Sequence, residues 1–138
     1  MKKQLFTLLG LGLMLASVAA YAQTVNVKVN IPFKFAVRDA TLPSGEYTIE
    51  TLGMSSNAIS IRNSNQKAQS LTLSHRCESL KTSEQTKLVF HRYGDRYFLS
   101  QIWVAGDNGG RELTKSRQEL EVAKDYTMQN VLLVASLH

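Results

Sequence analysis

Residues 25–37 read Val25-Asn26-Val27-Lys28-Val29-Asn30-Ile31-Pro32-Phe33-Lys34-Phe35-Ala36-Val37, and all seven odd positions are apolar. The even positions are polar or small. A strand sends alternate side chains to opposite faces, so this period of two predicts a β-strand with one buried face. Pro32 has no N–H for a ladder and marks a break or an edge. The stretch is therefore read as one long bent strand that serves two parts of a sheet.

The chain around it continues in the same style. Leu42-Pro43-Ser44-Gly45-Glu46-Tyr47 is a turn leading into a strand over Tyr47–Thr51, because proline presets one turn dihedral and glycine accepts positive φ. Ala58–Arg62 and Ser70–Cys77 flank the turn Asn63-Ser64-Asn65-Gln66. On the second of these strands Leu71, Leu73, His75 and Cys77 share a face, which reads as core. Residues 78–85 are polar and read as loop.

Gly94-Asp95 separates two further strands, Lys87–Tyr93 and Arg96–Val104. A two-residue loop with glycine first predicts a type II′ hairpin, which sets Phe90 opposite Leu99, His91 opposite Phe98 and Arg92 opposite Tyr97. Strict alternation then gives one face to Leu88, Phe90, Tyr97, Leu99 and Trp103. The other face carries Val89, His91, Tyr93, Phe98 and Ile102. Both faces are substantially apolar. Such a pair is either central in a layered sheet or keeps one face for a partner. Ala105–Gly110 reads as a loop, Arg111–Lys124 as a charged helix with i,i+4 pairs such as Lys115 with Glu119, and Val131–Leu137 as a last buried strand. The sum is a mainly β fold: a small antiparallel sandwich or partly closed barrel of about seven or eight strands with one late helix.

The beginning of the chain points to export. Lys2 and Lys3 precede an apolar run over Leu5–Val18, and Ala20-Tyr21-Ala22 offers small residues for cleavage before Gln23. Residues 1–22 are thus expected to be a cleaved signal peptide and residues 23–138 a single β-rich domain, exported to the periplasm, the envelope or the medium. Removing 22 of 138 residues leaves 116, and losing Lys2 and Lys3 lowers the formal charge from +5 to +3. That mild positive balance suits envelope polysaccharide or anionic lipid head groups and is too weak to argue for nucleic acid. No apolar run after residue 22 has the length of a spanning helix. The single cysteine excludes an intramolecular disulfide, and its place far from Gln23 excludes a lipoprotein anchor. A Cys77-linked dimer is the disulfide left open.

No catalytic motif is present: there is no GxSxG and no recognisable nucleophile turn among three histidines and scattered carboxylates. No cofactor is expected. Asp107-Asn108-Gly109-Gly110 lacks the ligand spacing of a calcium loop and reads as a turn. Two binding readings remain. Arg92, Tyr93, Arg96 and Tyr97 around the hairpin turn form a candidate contact surface for polysaccharide or head groups. His75 and Cys77, two apart on one strand, form with His91 a candidate site for copper or zinc. A small outer-membrane β-barrel is a third alternative, although the strands over Tyr47–Thr51 and Ala58–Arg62 are short for it.

The blocks Ile31-Pro32-Phe33-Lys34-Phe35-Ala36-Val37, Leu42-Pro43-Ser44-Gly45-Glu46-Tyr47-Thr48-Ile49, Arg92-Tyr93-Gly94-Asp95-Arg96-Tyr97-Phe98-Leu99 with Ile102-Trp103, and Gly110-Arg111-Glu112-Leu113 give the chain a resemblance. It resembles a family of small exported bacterial proteins of unknown function. The resemblance spans most of the chain after residue 22. It implies export, and it brings no catalytic residue, cofactor or substrate with it. Since the chain itself shows no catalytic motif, the expectation is a non-catalytic binding or structural module of the cell envelope.

Overall fold

Pro32 is where the fold divides. In a computed structural model, which describes residues 25–52, 57–65 and 68–135, Asn26–Ile31 forms β1 before it and Phe35–Val37 forms β2 after it. The expected signal peptide lies outside the described residues. Val27, Val29, Ile31, Phe35 and Val37 are buried, while Asn26, Lys28 and Asn30 are exposed. β1 pairs antiparallel with β4 (Gly45–Thr51). β2 pairs antiparallel with β3 (Ala40–Leu42) and parallel with β8 (Arg96–Trp103), where Ala36 meets Phe98. One bent stretch thus feeds two parts of the sheet, as its proline break predicts.

The remaining elements are β5 (Ala58–Asn63), β6 (Gln69–Glu78), β7 (Lys87–Tyr93), β9 (Gly109–Leu113), a helix α1 (Arg117–Val122) and β10 (Met128–Val134). The strand order is β1-β4-β5-β6-β9-β8-β2-β3, with β7 on the other edge of β8 and β10 on β7. The protein is mainly β, almost wholly antiparallel, with one late helix. The sheet is open: among the described residues β1, β3 and β10 each have a single partner strand. Its ten strands exceed the expected seven or eight because the short β3 and the unforeseen β9 join it. β6 carries the sheet round the corner, pairing with β5 over Gln69–Leu73 and with β9 over Ser74–Glu78.

Curling the sheet brings its two halves face to face over one hydrophobic core. Val27, Ile31, Tyr47, Ile49, Ile59 and Ile61 from the first half meet Phe35, Leu88, Phe90, Leu99 and Ile102 from the second. Fully burying one such side chain contributes roughly 1.5–3 kcal/mol, so this cluster stands in for the absent disulfide. The rings meet edge to face, Phe35 with Tyr47 at 5.1 Å and with Phe90 at 5.7 Å between centroids. The Tyr47 hydroxyl donates to the Pro43 carbonyl at 2.6 Å, which pins the turn before β4.

Four local readings are corrected by the fold. The stretch read as a helix from Arg111 is strand as far as Leu113, because β6 and β8 both offer an open edge that β9 fills; the helix in this stretch is the six-residue segment Arg117–Val122. On β6 it is Thr72 and Ser74 that point inward, while Leu71 and Leu73 are 71% and 62% exposed. The Gly94-Asp95 hairpin has the expected register from Phe90–Leu99 to Arg92–Tyr97, and Gly94 has φ of +62°. Beyond Leu99, however, a bulge leaves Ser100 unpaired between Phe90–Leu99 and Val89–Gln101. One extra residue reverses the alternation. Ile102 therefore enters the core and Trp103 goes to the outer face. Lastly, β10 is not a buried strand. It spans Met128–Val134 on an edge, with Leu132 61% and Val134 52% exposed.

Candidate functional site: the outer face of β7, β8 and β10

The second half of the sheet is apolar on both sides, so its outer face needs a cover. Part of it has one. Tyr93, Phe98 and Ala36 lie buried on that face, with Val122 of α1 packed on them. Ser116 caps the helix by accepting the Glu119 backbone N–H at 3.1 Å. The Ser-x-x-Glu spacing is that of a capping box, yet the glutamate side chain reaches the sheet instead.

Glu119 is 4% exposed, the only charged side chain so deeply buried among the described residues. Its Oε2 lies 2.7 Å from His91 Nδ1 and accepts the Tyr93 hydroxyl proton at 2.8 Å. A carboxylate only accepts, so Nδ1 is the protonated ring nitrogen. Burial first, then the hydrogen bond to Glu119 and its charge, hold the Tyr93 phenol above its ordinary range. A buried carboxylate is tolerated only where such donors satisfy it. Three side chains thus bolt a six-residue helix, too short to be stable alone, to the sheet.

Below the helix the same face opens into a trough of about 870 Å³. Val89 and His91 of β7, Gln101 and Trp103 of β8, and Met128, Asn130 and Leu132 of β10 line it, and the loop from Ser79 to Gln85 walls it together with Lys87. The register explains the arrangement. His75, Glu112, Gln101, Val89 and Leu132 stand in one row across β6, β9, β8, β7 and β10. The row is wired by hydrogen bonds: the Trp103 indole N–H donates to Gln101 Oε1 at 3.0 Å, and Gln101 Nε2 donates to Glu112 Oε2 at 2.9 Å. His75 Nε2 lies 3.6 Å from Glu112 Oε1 at the exposed end. Gly110 makes room for the indole. A Cβ there would lie 2.7 Å from Trp103 Cε3, so only glycine lets the ring lie on β9.

The hairpin residues Arg92, Tyr93, Arg96 and Tyr97 are not gathered on one surface. Tyr93 is 1% exposed beneath α1, whereas Tyr97 turns to the opposite face and stacks on Phe33 at 3.9 Å. The Arg92 guanidinium lies over Tyr97 and that of Arg96 over Phe98. Nor do His75, Cys77 and His91 converge. His75 and His91 share the outer face but stand three strand spacings apart, roughly 14 Å. Among the described residues no group of three His, Cys, Asp or Glu side chains is placed to share a metal ion. Cys77 is partly buried opposite Gly110, and desolvation, then the Glu112 charge, push its thiol up, which disfavours the reactive thiolate. Asp107 forms a turn, its carboxylate accepting the Gly109 N–H at 2.9 Å.

Of the residues singled out in the sequence, then, His91 belongs to the trough, and Tyr93 anchors the helix beside it. Gln101, Asn130 and Met128 were not singled out, and Glu119, expected to pair with Lys115 on an exposed helix face, is instead buried against His91 and Tyr93. The capping-box spacing of Ser116 and Glu119 and the uncharged run over Met128–Val134 were the available signals. Compared with models of known families, with curated proteins and with solved structures, the chain finds no match in any of the three.

Proposed function

We propose that the protein is an exported, non-catalytic binding module of the cell envelope, and that its ligand is a polysaccharide held in the trough on the outer face of β7, β8 and β10. The observation that carries this reading is the composition of that trough. An indole, three side-chain amides (Gln85, Gln101 and Asn130), an imidazole, two lysines, Lys81 and Lys87, and one carboxylate, Glu84, line an open cleft with an apolar floor of Val89, Met128 and Leu132. Ligand sites combine apolar surface with a few placed polar groups in this way. A flat ring beside amides suits sugar rings and their hydroxyls, and the lysines suit acidic substituents. The signal-like residues 1–22 and the resemblance to small exported bacterial proteins support the same compartment. The membrane-barrel alternative gains no support from a sheet that is open among the described residues, since a spanning barrel must be closed.

The chain has one tryptophan, and it lies in the trough, so its fluorescence reads this site alone. Titration of the mature chain with soluble fragments of neutral and acidic envelope polysaccharides should give a saturable change in Trp103 emission. Lys87→Ala with Asn130→Ala should weaken it about tenfold, the scale of one lost charged hydrogen bond. Vesicles of anionic lipid form the contrasting arm. A response to vesicles alone moves the ligand to head groups, and no response to either removes the trough as a binding site.

A further inference from the structure

The free edge of β10 carries an inference that goes beyond the trough and does not depend on it. No strand of the described residues pairs with that edge, since β10 has β7 as its single partner. Its seven residues, Met128-Gln129-Asn130-Val131-Leu132-Leu133-Val134, include no charge and no proline. Every other strand longer than three residues carries at least one charged side chain. The contrast with the other two edges is direct. β1 presents Lys28 outward and runs into Pro32, and β3 is three residues long and is followed by Pro43. Lysine, proline and shortness are the usual guards against edge-to-edge pairing, and β10 has none of them. It adds Met128, Leu132 and Val134, 39%, 61% and 52% exposed, on the outer face.

We propose that this edge pairs antiparallel with β10 of a second copy, about a two-fold axis at Val131, so that the sheet continues through both molecules. The edge is complementary to itself. With Val131 on the axis, Met128 meets Val134 of the second copy and Asn130 meets Leu132 on the outer face, while Gln129 meets Leu133 on the inner face. An uncharged edge opposes its own copy without repulsion, whereas β1 paired in this way would bring its lysines together. The same edge offers no charge with which to recruit a charged foreign strand. A two-fold axis perpendicular to the sheet keeps both outer faces on one side, so the two troughs open in the same direction. Such an interface is isologous and closes at two copies. One strand pair buries area at the low end for stable complexes, so the dimer exchanges with monomer.

The test is sedimentation of the mature chain over a range of concentrations, under reducing conditions, with two double variants at exposed positions. The unmodified chain should show a monomer–dimer equilibrium. Met128→Glu with Val134→Glu places like charges opposite each other twice and should weaken the dimer by at least about tenfold. Met128→Lys with Val134→Glu places opposite charges there and should return it. A chain that stays monomeric overturns the proposal. So does a dimer that both double variants leave unchanged, or one that needs an oxidised Cys77. A dimer lost in both double variants overturns the register. Circular dichroism of each variant checks that the fold is kept.

Discussion

The first half of the sheet, β1-β4-β5 with the start of β6, differs from the second, β7-β8-β10 with β2 and β9, in the number of faces it must cover. In the first half the inner face is Val27, Val29, Tyr47, Ile49, Ile59 and Ile61, and the outer face is mostly polar, with Arg62 reaching Glu50 at 3.4 Å. Burial on one side completes it. In the second half Leu88, Phe90, Leu99 and Ile102 fill the core, and Val89, Tyr93, Phe98 and Trp103 are apolar on the other side too. That second side is covered by α1 over Tyr93 and Phe98, while Val89 and Trp103, 8% and 9% exposed, lie at the floor of the trough beneath the loop from Ser79 to Gln85 and the side chains of β10. A one-sided sheet leaves little apolar surface over for a ligand, whereas a two-sided sheet with a partial cover leaves some.

The comparison is broken most forcefully at Glu119. Glu119→Ala leaves the Tyr93 hydroxyl and His91 Nδ1 without their acceptor and unbolts the cover, so it should cost about 3–5 kcal/mol in denaturant unfolding. Proteolysis should then begin between Leu113 and Met128. A loss below about 1 kcal/mol would mean that α1 is held by apolar contact alone.

A smaller effect follows from Tyr93. Its folded pKa lies above the ordinary value of 10.0, so the folded state holds the phenol proton more tightly than the unfolded chain does. That contribution is fully present below about pH 10 and is lost as pH rises through the folded value. Stability should therefore fall from pH 10 upward, and Tyr93→Phe should flatten this alkaline slope. An unchanged slope in the variant would place the pH dependence on other tyrosines and not on the covered face.

The smallest effect sharpens the other half of the comparison. Leu71 is on the outer side of β6, so Leu71→Ser should change stability by no more than about 0.5 kcal/mol. A loss of about 2 kcal/mol would show that Leu71 is packed and that the first half also has two covered faces.

Much of this architecture was legible in residue order. The alternation over Val25–Val37 gave β1 and β2, Pro32 gave their division, and Gly94-Asp95 gave both the hairpin and its register, because each depends on neighbours in the chain. The misreadings share one physical origin. Arg111–Leu113 has an equivocal local pattern, and it is a strand because two distant edges need one between them. The bulge at Ser100 is invisible to alternation, yet it decides that Ile102 joins the central core and Trp103 faces the outer side. Leu71 and Leu73 are as apolar as any core pair, and the curl of β6 turns them outward. Periodicity and turn chemistry, which act over a few residues, determined the class of fold and most of its strands. Which face each strand buries, what covers the second face of β7 and β8, and which edge stays open were decided only by tertiary packing, because those are relations between segments far apart in the chain.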